Sequence, residues 1–405
     1  MRRLAGNKKA YLIGGVALFA VAGAGVWLMS ESRAIADGGG FLRDGEAGFI
    51  VTHISYALGP DTQGTAACPD GMSKNVAEIF ALSDEGQRQP GEGDEEYGKR
   101  MEAGGQKIAA TADGKNYCMH PQLAPRDTHS RLMLSASHPA EGIDLDGQNS
   151  RGAADRRSGR LDFIRQDGVK GVDNQFWRAV GCTRAFQSSG PSNGFETEMY
   201  TGSWGVLMQL ADVDDLQNDD HVRVGIYANA DPIRLSPTRE ALEYSTYAKK
   251  GDPRMIAETT GRIENGVLLS DPVDIRFPNV VNGMHLERSL RDARIEATLS
   301  KEGVLKGYLA GYGDVEETYN YLYGFRNGKN GDGTEAAIGR RVGSANGAAR
   351  VLGYTCAGAY QALNTLADGH PVDGKYTSIS TQYKFEARPA FIVEGDDRKA
   401  KQVKS

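Results

Sequence analysis

Two acidic turns flank a stretch that has few regularly spaced apolar residues, and they carry the best candidate ligands. Asp144 and Asp146 belong to the turn GIDLDGQN, and Asp173 and Asn174 close the turn DGVKGVDNQ. Because Asp144 and Asp146 are two residues apart in an extended segment, their side chains point to one side. Carboxylate, amide and backbone oxygens gathered by glycine turns suit Ca²⁺, which takes about six to eight oxygen ligands. The sequence therefore predicts a structural calcium site formed by these four residues.

A purely structural role is the first alternative for the acidic turns. Asp-Gly and Asp-Asn pairs are common in turns because their side chains hydrogen-bond to nearby backbone. Further Asp-Gly pairs stand at residues 44–45, 70–71, 113–114, 332–333 and 373–374. Neither acidic turn has the bidentate Glu and flanking helices of an EF-hand loop. Ordinary turns therefore remain open beside a calcium site.

A catalytic carboxylate pair is the second alternative, as in a secreted hydrolase of glycans. Such enzymes hold two carboxyl groups about 5 Å or about 6.5–9.5 Å apart. The candidate groups in residues 142–198 are Asp144, Asp146, Asp173, Glu196 and Glu198. Trp177 and Trp204 would stack on sugars if exposed, but we expect both to pack in the core. No SxxK or HExxH motif identifies a nucleophile or a catalytic zinc, so the catalytic residues stay unknown.

The cysteines predict two disulfides. The chain has four of them, Cys68, Cys118, Cys182 and Cys356, and no CxxC or CxxCH motif. An even number at wide spacing is typical of disulfides in an exported protein. Of three arrangements we favour Cys68–Cys118, which would close a loop-rich region, together with Cys182–Cys356, which would join the ends of the β-rich region.

The N-terminal segment predicts export. Arg2, Arg3, Lys8 and Lys9 precede the uncharged run from Ala10 to Met29. As a helix this run is long enough to cross a hydrocarbon core of about 30 Å. Cations before the run and the acids after it place the N-terminus in the cytoplasm by the positive-inside rule. We therefore expect a single-pass inner-membrane protein with its body in the periplasm.

Cleavage is the alternative fate of this segment. Ala34-Ile35-Ala36 offers a small-residue site, and cutting after Ala36 would release the body into the periplasm. An uncleaved anchor is favoured because the apolar run is long, and because Glu31 and Arg33 lie in the approach to the site.

Charge argues against nucleic acid as a partner. The whole chain has a formal charge of −6, and four of its cations precede the apolar run, so the rest is more acidic still. Nucleic-acid binding needs a basic surface to neutralise phosphates. The membrane, envelope proteins and glycans are the partners that we expect.

The body is expected to be mainly β with appended helices, an α+β protein. Gly accounts for 52 of 405 residues, which many turns and short strands would explain. Short alternating runs within residues 202–312 predict an antiparallel β-sandwich or jelly roll, with Asn265-Gly266 as the strongest hairpin signal. Further strands are expected at 49–58 and 377–393, and helices at 71–83, 95–110, 236–250, 314–323, 334–351 and 355–367.

These elements suggest an order of regions. It comprises a cytoplasmic tail (1–9), a transmembrane signal-anchor (10–29), a Gly-rich tether (30–48), a loop-rich region (49–201), a β-sandwich core (202–312), a helical region with a closing strand (313–394) and a solvated tail (395–405). Residues 119–171 look like an ordered loop system, and such a stretch usually needs a ligand or a disulfide to order it.

Short segments resemble exported bacterial proteins of unassigned function. They are DLDG, GVDNQFWRAVGC and TSISTQYKFEARPAF. The resemblance implies export and no particular activity or catalytic residue. The expected role is a membrane-tethered periplasmic module that binds a ligand or supports envelope assembly.

Overall fold

The computed structural model describes residues 40–133, 138–150, 161–187, 193–281, 284–323, 326, 328–330 and 332–395. The predicted cytoplasmic tail, the signal-anchor, most of the tether, the cleavage site after Ala36 and nearly all of the C-terminal tail lie outside these residues. The described residues belong to one compact unit. Within the described ranges, no helix is long and apolar enough to span a membrane.

The body is mainly β, with 35% strand and 24% helix, as predicted. The strands are β1 Ala47–Tyr56, β2 Phe163–Ile164, β3 Lys170–Val172, β4 Val206–Ala211, β5 Asn218–Ala228, β6 Ser245–Ala248, β7 Ile256–Glu264, β8 Val267–Ser270, β9 Val273–Val281, β10 Met284–Leu299, β11 Leu305–Asp314, β12 Gly369–Val372 and β13 Lys375–Val393. The helices are α1 Val76–Ala81, α2 Asp94–Ile108, α3 Gln175–Val180, α4 Asn193–Tyr200, α5 Val315–Leu322, α6 Ile338–Leu352 and α7 Cys356–Leu366.

Antiparallel pairing connects eight of the strands into a closed ring. The order is β1-β4-β5-β7-β8-β10-β11-β13, and β13 pairs again with β1. Strand β9 pairs along the first half of β10, β12 forms a hairpin with β13, and β6 runs parallel to the end of β13. A sandwich or jelly roll is not confirmed, because the pairing passes through one sheet.

The ring joins three regions that the sequence separates. Strand β1 comes from the loop-rich region, β4 from the predicted β core and β13 from the closing segment, yet β1 pairs with both of the others. One large hydrophobic cluster draws residues from all three regions. Trp177 and Trp204 are 1% and 2% exposed within it, so their predicted role in the core is confirmed.

A small second cluster lies on the opposite face of β11. Leu309 belongs to the main core, whereas Ala310 and Tyr312 pack with Ile143 and Leu145. Successive residues of a strand point to opposite faces, so one strand serves both clusters. The loop of the first acidic turn is thereby fixed against the sheet.

Two disulfides are present as predicted, but the favoured pairing was wrong. The bonds are Cys68–Cys182 and Cys118–Cys356. The first joins the segment after β1 to the end of α3, and the second joins the loop after α2 to the first turn of α7. The prediction assumed that each region closes on itself, whereas Cys118–Cys356 joins the loop-rich region to the helical region.

The local predictions succeeded where caps and alternation were clear. Asp314 caps α5 through a 3.0 Å bond from the Glu317 N–H, and Thr355 caps α7. The helix predicted at 236–250 was wrong, because the chain turns through positive φ at Arg239 and Tyr244 and then forms β6. Helices α3 and α4 were not predicted from the sequence.

Candidate functional site

The predicted ligands meet beside the second hydrophobic cluster. Asp144, Asp146 and Asp173 each offer a carboxylate oxygen, and these three oxygens lie within 4.8 Å of one another. We call this group, together with the neighbouring Asp162, the acidic junction. It connects the loop at 142–150 to the segment between β3 and α3.

Hydrogen bonds to the backbone fix Asp173 and the loop together. Asp173 Oδ2 accepts the N–H of Leu145 at 2.7 Å. The buried amide of Gln382 on β13 donates to the carbonyls of Ile143 at 2.9 Å and of Asp173 at 2.6 Å. The same amide accepts the N–H of Ile143 at 3.1 Å. One side chain of the sheet therefore holds both acidic turns in place.

Asp144 and Asp146 each engage one oxygen in a local turn. The Gly147 N–H donates to Asp144 Oδ1 at 2.7 Å, and the Gln148 N–H donates to Asp146 Oδ1 at 2.8 Å. Both side chains are partly exposed. Their local bonds fix the carboxylates without using all of their lone pairs, so further coordination is open to them.

Gly171 is needed where β3 passes the first turn. Its φ is +83°, and a Cβ there would lie 2.6 Å from the carbonyl oxygen of Gln148 and 2.8 Å from Asp144 Oδ2. Such distances are too short for any side chain. The two oxygens therefore both lie close to Gly171 and leave no room for a side chain there.

Asp162 and Asp368 extend the negative charge of the site, and neither was predicted from the sequence. Asp162 is 3% exposed and accepts the N–H of Ser150. Asp368 accepts the N–H of Ser380 at 2.7 Å and acts electrostatically on Asp173. Asp162 belongs to no Asp repeat, and Asp368-Gly369 looks like the other Asp-Gly pairs of the chain, so only the folded topology brings the two near the site.

Burial and mutual repulsion raise the pKa values of this group. Burial raises the pKa of Asp162 to about 6, with the nearby Asp146 and Asp144 adding to the rise. Burial and then the charge of Asp368 raise the pKa of Asp173 well above its usual range. Burial also raises the pKa of Asp144. The arrangement therefore disfavours full ionisation in the absence of a cation.

No Lys or Arg neutralises the acidic junction in the part of the chain that the structure describes. None of its four carboxylates forms an ion pair there. Arg165 donates to the carbonyl of Gly142 at 3.2 Å, but its guanidinium pairs with Asp167 and Glu296. A cation bound at these carboxylates would favour their ionised form.

Asn174 has a different role from the predicted one. Its Oδ1 accepts the N–H of Trp177 at 3.2 Å and so caps α3. Its Nδ2 donates to the carbonyls of Ala57 at 2.7 Å and Glu141 at 3.1 Å. The geometry therefore brings together three of the four predicted ligands and uses the fourth to start a helix.

The geometry favours holding an ion over cutting a glycan. Asp162 and Asp173 are 3% and 5% exposed, and Trp177 and Trp204 are buried in the core. A sugar would need an open groove with aromatic side chains at its walls. Glu196, another candidate for the carboxylate pair, contacts His53 instead of the acidic junction.

Comparisons with known proteins add no assignment. No protein-family model, no curated protein and no solved structure matches this chain.

Proposed function

We propose that the chain is a membrane-tethered periplasmic module in which the acidic junction binds a structural calcium ion. The convergence of the Asp144, Asp146 and Asp173 carboxylates within 4.8 Å carries this proposal. The ion orders the loop at 142–150 against β3 and the sheet. The body so held binds a ligand or supports an assembly of the cell envelope.

The donor set favours calcium over other metals. It consists of carboxylate oxygens, and the Gln148 carbonyl oxygen lies beside Gly171, as Asp144 Oδ2 does. Hard cations select oxygen ligands, whereas zinc and copper sites use His and Cys. Magnesium requires nearly ideal octahedral geometry, while calcium accepts the irregular arrangement of two loops.

Export rests on two observations of different kinds. The N-terminal apolar run with cations before it is typical of a signal-anchor. The two disulfides join segments 114 and 238 residues apart, and such bonds persist in oxidising compartments. Extraction of membranes with alkaline carbonate tests the anchor: the full chain should stay in the membrane pellet, and its release would contradict an uncleaved anchor.

Thermal unfolding of the full chain in detergent tests the ion. Millimolar Ca²⁺ should stabilise the metal-stripped protein by about 1–3 kcal/mol, because only the folded state assembles the ligands. Asp146→Asn should remove most of this effect. Asp332→Asn is the matched control, since Asp332 also stands in an exposed Asp-Gly turn but lies outside the acidic junction.

The response of these variants to calcium distinguishes an ion site from ordinary Asp-Gly turns. An equal response to calcium in wild type, Asp146→Asn and Asp332→Asn would contradict the proposal. So would the absence of any response in wild type, because a site of this kind has to stabilise the fold that forms it.

A further inference from the structure

Two polar side chains of β1 and one of α4 are connected in the order of a catalytic triad. Ser55 Oγ lies 3.4 Å from Nε2 of His53. The other ring nitrogen of His53, Nδ1, contacts Oε1 of Glu196. Both ring nitrogens are therefore engaged, one by a hydroxyl and the other by a carboxylate. This is the connection that lets imidazole accept a proton from a nucleophile while an acid orients it.

Strand β1 and helix α4 position these three side chains. Strand β1 pairs with β4 only through Ala47–Ile50, so its second half forms an edge of the sheet on that side. Helix α4 packs against β1 and brings Glu196 to His53. A shift of register between Val51 and His53 marks a β-bulge, a device that re-aims a side chain and often lies beside active sites.

We propose that Ser55, His53 and Glu196 hydrolyse a carboxylic ester that has a small acyl group. Ser55 Oγ bonds to the carbonyl carbon while its proton passes to His53 Nε2. The ester C–O bond then breaks, and the alcohol leaves with that proton. Water next attacks the acyl-Ser55 ester, gives a proton to His53 Nε2, and releases the carboxylic acid and Ser55 Oγ, which regains the proton.

Charge around the site supports this chemistry. Lys384 on β13 is the direct cross-strand partner of Ser55, and such partners have Cβ atoms about 4.5–5.5 Å apart. An ammonium has three N–H donors, and that of Lys384 pairs with Glu141 at 2.9 Å. Glu386, the cross-strand partner of His53, is itself paired with Arg388 at 2.7 Å.

Exposure sets the class of substrate. The side chains of His53 and Glu196 are 50% and 31% exposed, whereas Ser55 is only 4% exposed. The base is therefore open to solvent, whereas the nucleophile is largely covered. We assign a compact acyl group to the substrate because a largely covered nucleophile leaves little room for a long or branched one.

A fluorophosphonate probe and p-nitrophenyl acetate test the proposal on the full chain in detergent. Ser55 Oγ should displace fluoride from the probe, and mass spectrometry of the wild-type protein should place the adduct on Ser55. Ser55→Ala and His53→Asn should lower ester hydrolysis at least 100-fold, on the order seen for triad residues. Ser203→Ala and His221→Asn, which lie elsewhere, should retain activity.

Glu196 acts through His53 as a positioning residue, so it needs a separate measurement. Glu196→Gln should lower kcat at least 10-fold with KM nearly unchanged, and Glu196→Asp should restore part of kcat. The unfolding midpoint of each variant shows that it is folded. No adduct on wild-type Ser55, or equal hydrolysis by folded Ser55→Ala, would overturn the proposal.

Discussion

Asp162 and Asp173 are almost fully buried, yet among the described residues neither forms an ion pair with a Lys or Arg. Burying a charge without a partner is costly, and a carboxyl group responds by holding its proton more tightly. The pKa values of Asp162 and Asp173 are raised for this reason. A calcium ion would reverse this rise, since the cation favours the ionised carboxylates.

The raised pKa of Asp162 predicts how the free energy of unfolding depends on pH. The pKa of Asp162 rises from 3.8 to about 6 on folding, so the folded state holds its proton where the unfolded state has lost it. The free energy of unfolding of the metal-stripped protein should therefore fall as pH rises from about 4 to about 6, by up to about 3 kcal/mol. Urea unfolding across this range measures it.

Calcium provides the internal control for the pH prediction. With the ion bound, the same carboxylates are stabilised in their charged form, so the fall in stability between pH 4 and pH 6 should shrink. A fall of the same size with and without calcium would mean that the ion does not bind at these carboxylates.

Gly171 gives a second prediction at the scale of a residue. Gly171→Ala should destabilise the fold by about 1–3 kcal/mol and weaken calcium binding, because its Cβ would press on Asp144 Oδ2 and the Gln148 carbonyl. Gly168→Ala is a matched control, since Gly168 also has positive φ (+93°) but has open space around it. Equal calcium affinity in both variants would contradict the proposed place of the ion.

The site residues that belong to a local sequence pattern were predicted, and those that only the fold brings together were not. The Asp repeat and the Gly turns identified Asp144, Asp146 and Asp173. Asn174 stood at the right place but serves as a helix cap, a role that the same residue type favours. His53 and Glu196 lie 143 residues apart in the chain, so no motif could connect them.

At the scale of elements, β13 supports the site through one side chain. Gln382 bonds to both acidic turns and is 1% exposed. Gln382→Met keeps the volume but leaves the carbonyls of Ile143 and Asp173 without this donor, and a lost buried hydrogen bond costs about 1–3 kcal/mol. We expect that loss of stability together with weaker calcium binding.

Titration of the Gln382→Met variant with calcium shows whether Gln382 supports the ion site or only packs in the core. If Gln382 only fills the core, stability should fall while the calcium affinity stays at the wild-type value. Asp314→Ala is the comparison for a general loss of stability, since it removes the cap of α5 at about 1 kcal/mol without touching the acidic turns.

Elements with strong local rules were predicted well. Alternation located β1 and β13, Asp314 as an N-capping residue located α5, and an Ala-rich segment located α7. The segment at 236–250 carries a helical pattern, but tertiary pairing of β6 with β13 overrides it. Periodicity also could not show that β1 and β13 pair, because that contact depends on residues at opposite ends of the body.

At the scale of the molecule, the Cys118–Cys356 disulfide joins two regions that the sequence suggests are separate. Cys118–Cys356 closes 238 residues and Cys68–Cys182 closes 114. Because a crosslink over a long loop restricts the unfolded chain, we expect Cys118→Ser with Cys356→Ser to cost about 2–5 kcal/mol in urea unfolding.

Reduction of the wild-type protein checks that the loss comes from the bond. Dithiothreitol should lower the stability of the wild type toward that of the double variant. A double variant as stable as the oxidised protein would show that the Cys118–Cys356 bond does not hold the body together.

We propose that one calcium ion holds the acidic junction. Isothermal titration calorimetry of Ca²⁺ into the metal-stripped full chain in detergent measures this binding. We predict one ion for each chain with a Kd of about 10⁻⁴–10⁻³ M, the range of extracellular calcium modules, and loss of this binding in Asp173→Asn. A folded wild-type protein that takes up no calcium at about 10 mM, ten times the weaker limit of that range, would contradict the account.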